Sequence, residues 1–97
     1  MHILQIEHPI RDFDTWKMAF DPVDGRRQQL GVRGYRILQP TDDRNYVMID
    51  LEFDRASEVE SFLTFLQRDV WSSRDAAPGL IGDSQTWIME TVESKEY

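Results

Sequence analysis

A lone histidine at the end of an apolar strand, just ahead of an aromatic stripe, is where chemistry could begin in this chain. His8 follows His2, Leu4 and Ile6 on one side of an alternating run that Pro9 stops. An imidazole at such a strand end, close to Trp16 and at the mouth of a pocket, could serve as a general base or ligand with a pKa near working pH. The plainer expectation is a polar strand end that caps nearby backbone. His2 belongs to a fraying terminus, and two histidines without E-x-x-H spacing make no metal site.

Trp16, Phe20, Phe62, Phe65 and Trp71 could line a cavity for a flat aromatic molecule, although aromatics at helical spacing are more often plain core. Arg26 and Arg27 follow a break at Pro22 and could hold a substrate carboxylate bidentately. The plainer expectation for both is a solvated helix end favoured by the helix dipole. Arg36 and Asp50 fall on the outer side of two strands, either facing a ligand enclosed at an interface or forming a pair that sets register between subunits. The candidate catalytic residues are thus His8, Trp16 and Arg36; the candidate ligand-binding residues are Phe20, Arg27, Asp50, Phe62 and Trp71.

Composition narrows the chemistry. The absence of cysteine removes disulfides, thiolate catalysis and cysteine-ligated zinc or iron–sulfur centres. A net charge of −7, with the nine arginines and two lysines scattered along the chain, argues against nucleic acid and anionic lipid as partners. There is no Gly-rich phosphate loop, G-x-S-x-G elbow or magnesium-binding carboxylate cluster. No apolar stretch approaches the roughly 20 residues of a membrane helix. Met1-His2-Ile3-Leu4-Gln5 lacks the basic and apolar regions of a signal peptide, so the expected address is the cytoplasm.

The elements that must position these residues can be read in order. The first strand covers residues 2–8. Asp12 and Asp14 offer N-caps for a helix carrying Phe13, Trp16, Ala19 and Phe20. Pro22 and Gly25 interrupt it, a second short turn follows to Leu30, and Gly31 stops that turn. A strand from Gly34 to Leu38, a polar turn from Gln39 to Asn45 and a strand from Tyr46 to Phe53 make a hairpin. Ser57 and Glu60 match a capping box for a helix running to Val70. A loop over residues 74–82 leads to a last strand over residues 83–93. The expectation is one α+β domain spanning residues 1–97, with βαββαβ order.

Right-handed crossovers place both helices on one sheet face, over Tyr35, Ile37, Val47, Ile49, Leu51 and Phe53. The other face, with Leu38, Tyr46, Met48 and one side of the last strand, has no cover within the chain. Ninety-seven residues make a small core, and this bare face is expected to pair with a second copy of itself.

The run Asp12-Phe13-Asp14-Thr15-Trp16-Lys17, then Phe20-Asp21, Arg27, Gly31-Val32, Asp42-Asp43 and Leu51-Glu52-Phe53-Asp54, resembles small proteins of the dimeric α/β-barrel superfamily. The likeness extends over nearly the whole chain. It lies nearest a group with no assigned activity and is more distant from antibiotic-biosynthesis monooxygenase-like members. The resemblance implies a ferredoxin-like fold, a homodimer through the sheet face, and ligands bound between sheet and helices. The superfamily includes cofactor-independent oxygenases, haem degraders and muconolactone isomerases. The haem degraders use an Asn, Trp and His constellation, and here no histidine lies on the second helix.

Two functions follow as expectations. One is a monooxygenase or isomerase working without a bound cofactor on a small hydrophobic or aromatic molecule, by positioning it in a dry pocket. The other is a non-catalytic module that binds a small ligand or only assembles. A cavity lined by His8 and Trp16 would favour the first or a binding role; a filled core would leave assembly.

Overall fold

The protein, seen in a computed structural model, is described here over residues 1–71 and 84–97. Strand β1, His2–Pro9, leads through Ile10 to helix α1, Phe13–Phe20. A single 3-10 turn, Asp21–Val23, and a short helix α2, Asp24–Gln29, complete the first crossover. Strands β2, Val32–Leu38, and β3, Tyr46–Phe53, form the hairpin. Helix α3, Ala56–Phe65, widens into a π-helical turn, Leu66–Val70, and strand β4, Gln85–Glu90, closes the sheet. The four strands are antiparallel in the order β2-β3-β1-β4, which is the expected α+β, ferredoxin-like architecture.

The two longer helices, α1 and α3, begin where a side chain can satisfy a backbone group left free at the helix start. Asp12 accepts from the Thr15 amide at 2.7 Å and from its hydroxyl at 2.9 Å, and those two bonds hold its carboxyl below the usual carboxylate range. At α3 the expected Ser57–Glu60 box is displaced by two residues. Arg55 is the N-cap, and the Glu58 carboxylate accepts from the Arg55 amide at 3.1 Å. An arginine side chain has no acceptor, so only the returning half of a capping box can form.

Three boundaries differ from the sequence expectation. Strand β2 starts at Val32 rather than Gly34, because an irregularity between Val32 and Gly34 breaks the alternation while leaving Val32 buried opposite Phe53. The second long helix ends its α-helical part at Phe65, and the i→i+5 bond from the Trp71 amide to the Leu66 carbonyl marks the wider turn that follows. The last strand is shorter, Gln85–Glu90. The expected loop over residues 74–82 and the first residue of the expected last strand lie outside the described residues.

The core sits between the helices and one sheet face. Leu4, Ile6, Val47, Ile49, Leu51 and Phe53 from the strands meet Trp16, Val59 and Phe62 from the helices. The opposite face reads as three cross-strand rows: Gly34–Glu52–Ile3–Met89, Arg36–Asp50–Gln5–Trp87 and Leu38–Met48–Glu7–Gln85. Leu38, Trp87 and Met89 on it are exposed, so this face is half apolar and has nothing from the described residues over it.

Gly31 ends α2 with φ of 100°, and a Cβ there would run into the Glu58 carboxylate that caps α3. Gly31→Ala should therefore destabilise the fold by about 1–3 kcal/mol. Gly25→Ala, in the interior of α2 where an added methyl meets open space, should stabilise it by about 0.5–1 kcal/mol. Urea denaturation of both variants checks the pair; shifts of the same sign would contradict this account.

Candidate functional site

His8 is the innermost polar side chain of β1. Strand alternation turns it to the helix face beside Leu4 and Ile6, and α1 then lays Trp16 over it with ring centroids 6.1 Å apart. His8 is 3% exposed. Burial lowers its pKa from the ordinary 6.5 to about 4, a bond to the Pro9 carbonyl only partly opposing this. The sequence expectation of a pKa near working pH is corrected by that desolvation. The imidazole is neutral at pH 7. Its Nδ1 lies 3.4 Å from the Pro9 carbonyl, so the proton belongs on Nδ1 and the lone pair on Nε2.

The expectation of a solvated helix end fails at Arg27, which is 4% exposed. The reason lies one turn earlier. The 3-10 turn at Pro22 directs the Asp24 amide to the Asp21 carbonyl, which leaves the Phe20 carbonyl free of its helical partner. Arg27 Nη1 donates to that carbonyl at 2.8 Å. The guanidinium lies 3.7 Å from the Phe20 ring centroid and 5.4 Å from that of Tyr35. Among the described residues its ion pair is with Asp24, at 3.4 Å, a carboxylate half exposed to solvent, and Nε has no hydrogen-bond partner. Burial lowers the Arg27 pKa, against the pull of Asp24, yet an arginine stays charged.

Between these two groups lies a cavity of about 90 Å³, walled by Trp16 and Phe20 from α1, by Phe62, and by Leu66, Val70 and Trp71 from the π-helical turn. Ile6, Ile49 and Leu51 floor it from the sheet, and Ala19 and Val23 complete the wall. Trp16 and Phe20 stack with centroids 4.9 Å apart, and Phe20 meets Tyr35 edge-on at 5.2 Å. His8 and Arg27 are the ionisable side chains in this lining. The wider turn after Phe65 has a purpose here: it brings Leu66, Val70 and Trp71 to the same side, which a continuing α-helix would not do.

Of the sequence candidates, His8, Trp16, Phe20, Arg27, Phe62 and Trp71 thus meet around one cavity, while Arg36 and Asp50 do not. Those two sit together on the other side of the sheet, where Arg36 Nη2 donates to Asp50 Oδ2 at 3.0 Å and Gln5 Nε2 donates to Asp50 Oδ1 at 3.1 Å. Asp50 is buried and Arg36 largely exposed. Sequence reasoning overlooked Ala19, Val23, Leu66 and Val70 as cavity walls, and Ala19 is the one of these that the sequence places beside Trp16 and Phe20 on the first helix. Among the described residues no cluster of His, Asp and Glu is arranged to hold a metal ion, and no helix is long and apolar enough to cross a membrane.

No protein-family profile matches this sequence, and no curated protein matches it. Solved structures do resemble it. A dimeric ferredoxin-like protein from an uncultured marine organism superposes with a TM-score of 0.67 at 8% identity, over 97% of each chain. An antibiotic biosynthesis monooxygenase superposes with a TM-score of 0.65 at 13% identity, over 96% of this chain and all of the other. SnoaB, a cofactor-independent oxygenase from Streptomyces nogalater, gives a TM-score of 0.62 at 12% identity, over 96% of this chain and 94% of its own. At such identities the likeness establishes the ferredoxin-like fold. Its bearers are the kinds of protein to which the sequence resemblance pointed.

Because the unfolded His8 titrates near 6.5 and the folded one near 4, the unfolded chain binds the extra proton between those values. The contribution of neutral His8 is complete above pH 6.5, is lost as the pH falls, and is gone below about 4. It amounts to about 3 kcal/mol on the usual conversion. Urea denaturation from pH 7 to pH 4 should show this slope in the wild type and its loss in His8→Gln; parallel curves would place His8 in water.

Proposed function

We propose that the cavity is the active site of a cofactor-independent enzyme, a monooxygenase or isomerase, acting on a small hydrophobic or aromatic molecule. The observation that carries this reading is the pairing of neutral His8 with cationic Arg27 in an otherwise apolar lining. A ring slides between the Trp16–Phe20 stack and the sheet floor. His8 Nε2 accepts a proton from an acidic hydroxyl or from a carbon next to a carbonyl. Arg27 supports the resulting anion, whose charge is worth more to it in a water-poor site than in solution. An anion that takes its proton back at another carbon is isomerised; one that gives an electron to dioxygen combines with the superoxide to form a C–O bond. The resulting hydroperoxide loses water to leave a carbonyl, so that a CH2 group gives up the four electrons that reduce dioxygen. Cofactor-independent oxygen chemistry is known for a protein of the same fold, SnoaB.

The depressed pKa of His8 favours a second reading, since it makes the imidazole a weak proton acceptor. A binding module would use the same walls without turnover. A screen of small phenols and cyclic 1,3-dicarbonyl compounds by thermal shift separates the two when each hit is assayed for oxygen uptake and for solvent deuterium entering carbon. The enzyme reading expects turnover that falls by about 10²–10⁴-fold in His8→Ala. Hits that bind but never turn over would leave the binding module, and turnover unchanged in His8→Ala would remove His8 from the chemistry.

The same reading takes the working form to be a cytoplasmic homodimer joined by the outer sheet faces. Ile3, Leu38, Met48, Trp87 and Met89 supply the apolar area, and the Arg36–Asp50–Gln5 row supplies a polar register. Sedimentation at micromolar concentration should give a dimer, and Leu38→Glu with Met48→Lys should give a folded monomer. A wild-type monomer would refute the pairing.

A further inference from the structure

Arg27 is more than a support for charge developed in catalysis; it is an incompletely satisfied cation with free donors. A guanidinium has five N–H groups. One on Nη1 is used by the Phe20 carbonyl, and one on Nη2 makes a long bond to Asp24 at 3.4 Å. Nε, buried, has none among the described residues. Nε–H and an Nη2–H together form the side-on edge with which arginine grips the two oxygens of a carboxylate, and the bond to Asp24 holds Nη2 only at 3.4 Å. The face of the guanidinium is occupied by Phe20 at 3.7 Å, which holds the plane.

Position supports the same conclusion. Arg27 lines not only the aromatic cavity but also a second hollow, a groove of about 470 Å³ shared with Asp24, Gln28, Arg33 and Tyr35. It therefore stands where an apolar hollow meets a polar one. An amphiphilic ligand could leave its ring in the first and bring its charged end to the boundary. Asp24, half exposed, is a poor counter-charge, and a bound anion would complete what it leaves undone.

We propose that Arg27 is the carboxylate receptor of this site and that the molecules it takes are small aromatic carboxylates, held bidentately through Nε and Nη2 with the ring against Phe20 and Trp16. This rests on the cavity being a ligand site, as in the reading above, but not on any reaction there.

The test uses benzoate and its neutral isostere benzamide as probes, with affinities from calorimetry on the wild type, Arg27→Met, Arg27→Lys and His8→Ala. Benzoate should bind the wild type about 10- to 100-fold more tightly than benzamide, the range expected of hydrogen bonds to a buried charge. Arg27→Met should abolish that preference, bringing benzoate to the affinity of benzamide or below it. Arg27→Lys, which keeps the charge and loses the fork, should retain only a small part of it. Should Arg27→Met fail to fold by circular dichroism, Arg27→Lys decides alone, and a full preference surviving in it overturns the bidentate grip. Equal affinities in the wild type, no binding of either probe, or a preference surviving in Arg27→Met would each overturn the proposal. His8→Ala should keep the preference; if it does while turnover in His8→Ala is also unchanged, the acid–base role of His8 fails and the carboxylate receptor stands.

Discussion

Taking a guanidinium out of water is expensive, and at Arg27 the chain does so with one carbonyl, one half-exposed carboxylate and two aromatic faces in return. Much of the local architecture answers to that constraint. Pro22 breaks the helix so that a carbonyl is left over; α2 is only six residues long and carries Arg27 back toward that carbonyl. Gly31 then turns the chain away in a conformation only glycine takes easily, and it does so against the cap of α3. Tyr35, on the strand that follows, comes within 5.4 Å of the guanidinium beside Phe20, its ring 5.2 Å from that of Phe20. The crossover between β1 and β2 is thus a mount for one cation.

The sheet divides the protein's ionic chemistry into two kinds. In the cavity on the helix face, His8 and Arg27 have few partners among the described residues and an apolar surround. On the outer face Asp50 is saturated by Gln5 and Arg36, and Tyr46 donates to Glu7 at 3.0 Å. A carboxylate whose oxygens are both engaged is suited to holding register and little else, whereas a buried cation with a free donor is suited to recognition. Both faces use arginine, yet Arg36 is exposed and paired while Arg27 is buried and half-paired.

The alternation of β1 and β3, the aromatic stripe of α1 and the presence of a second long helix running to Val70 were legible in the sequence because period is a local property. They were enough for the architecture and for the face on which His8 falls. The bulge at β2, the displaced cap at Arg55 and the π-helical turn were not, since each is decided by tertiary fit rather than by propensity. The cavity was legible only as a choice between a pocket and a filled core. Arg27 was read as a solvated helix end because the dipole rule is local, and what overrides it is a carbonyl left free by a proline five residues earlier. The pKa expected of His8 missed for a related reason: the sequence shows its strand and its nearness to Trp16, and only packing shows how far burial keeps water from the ring.

A neutral imidazole and a lone cation in one cavity also constrain what the cavity can hold at rest. Asp24 lies half in solvent, and protonating His8 would add a second cation in a place where burial already opposes the first. A cationic ligand is therefore excluded, a neutral one leaves Arg27 as it is, and an anionic one relieves it. If the ligand arrives neutral and surrenders its proton to His8, the imidazolium and the new anion form together, and the field of Arg27 falls on the anion rather than on water. The weakness of His8 as a base is then partly offset by the strength of Arg27 as an anion receptor, because the two terms enter the same proton transfer with opposite sign. If the cavity takes a substrate, these charges favour one that is acidic, flat and largely apolar.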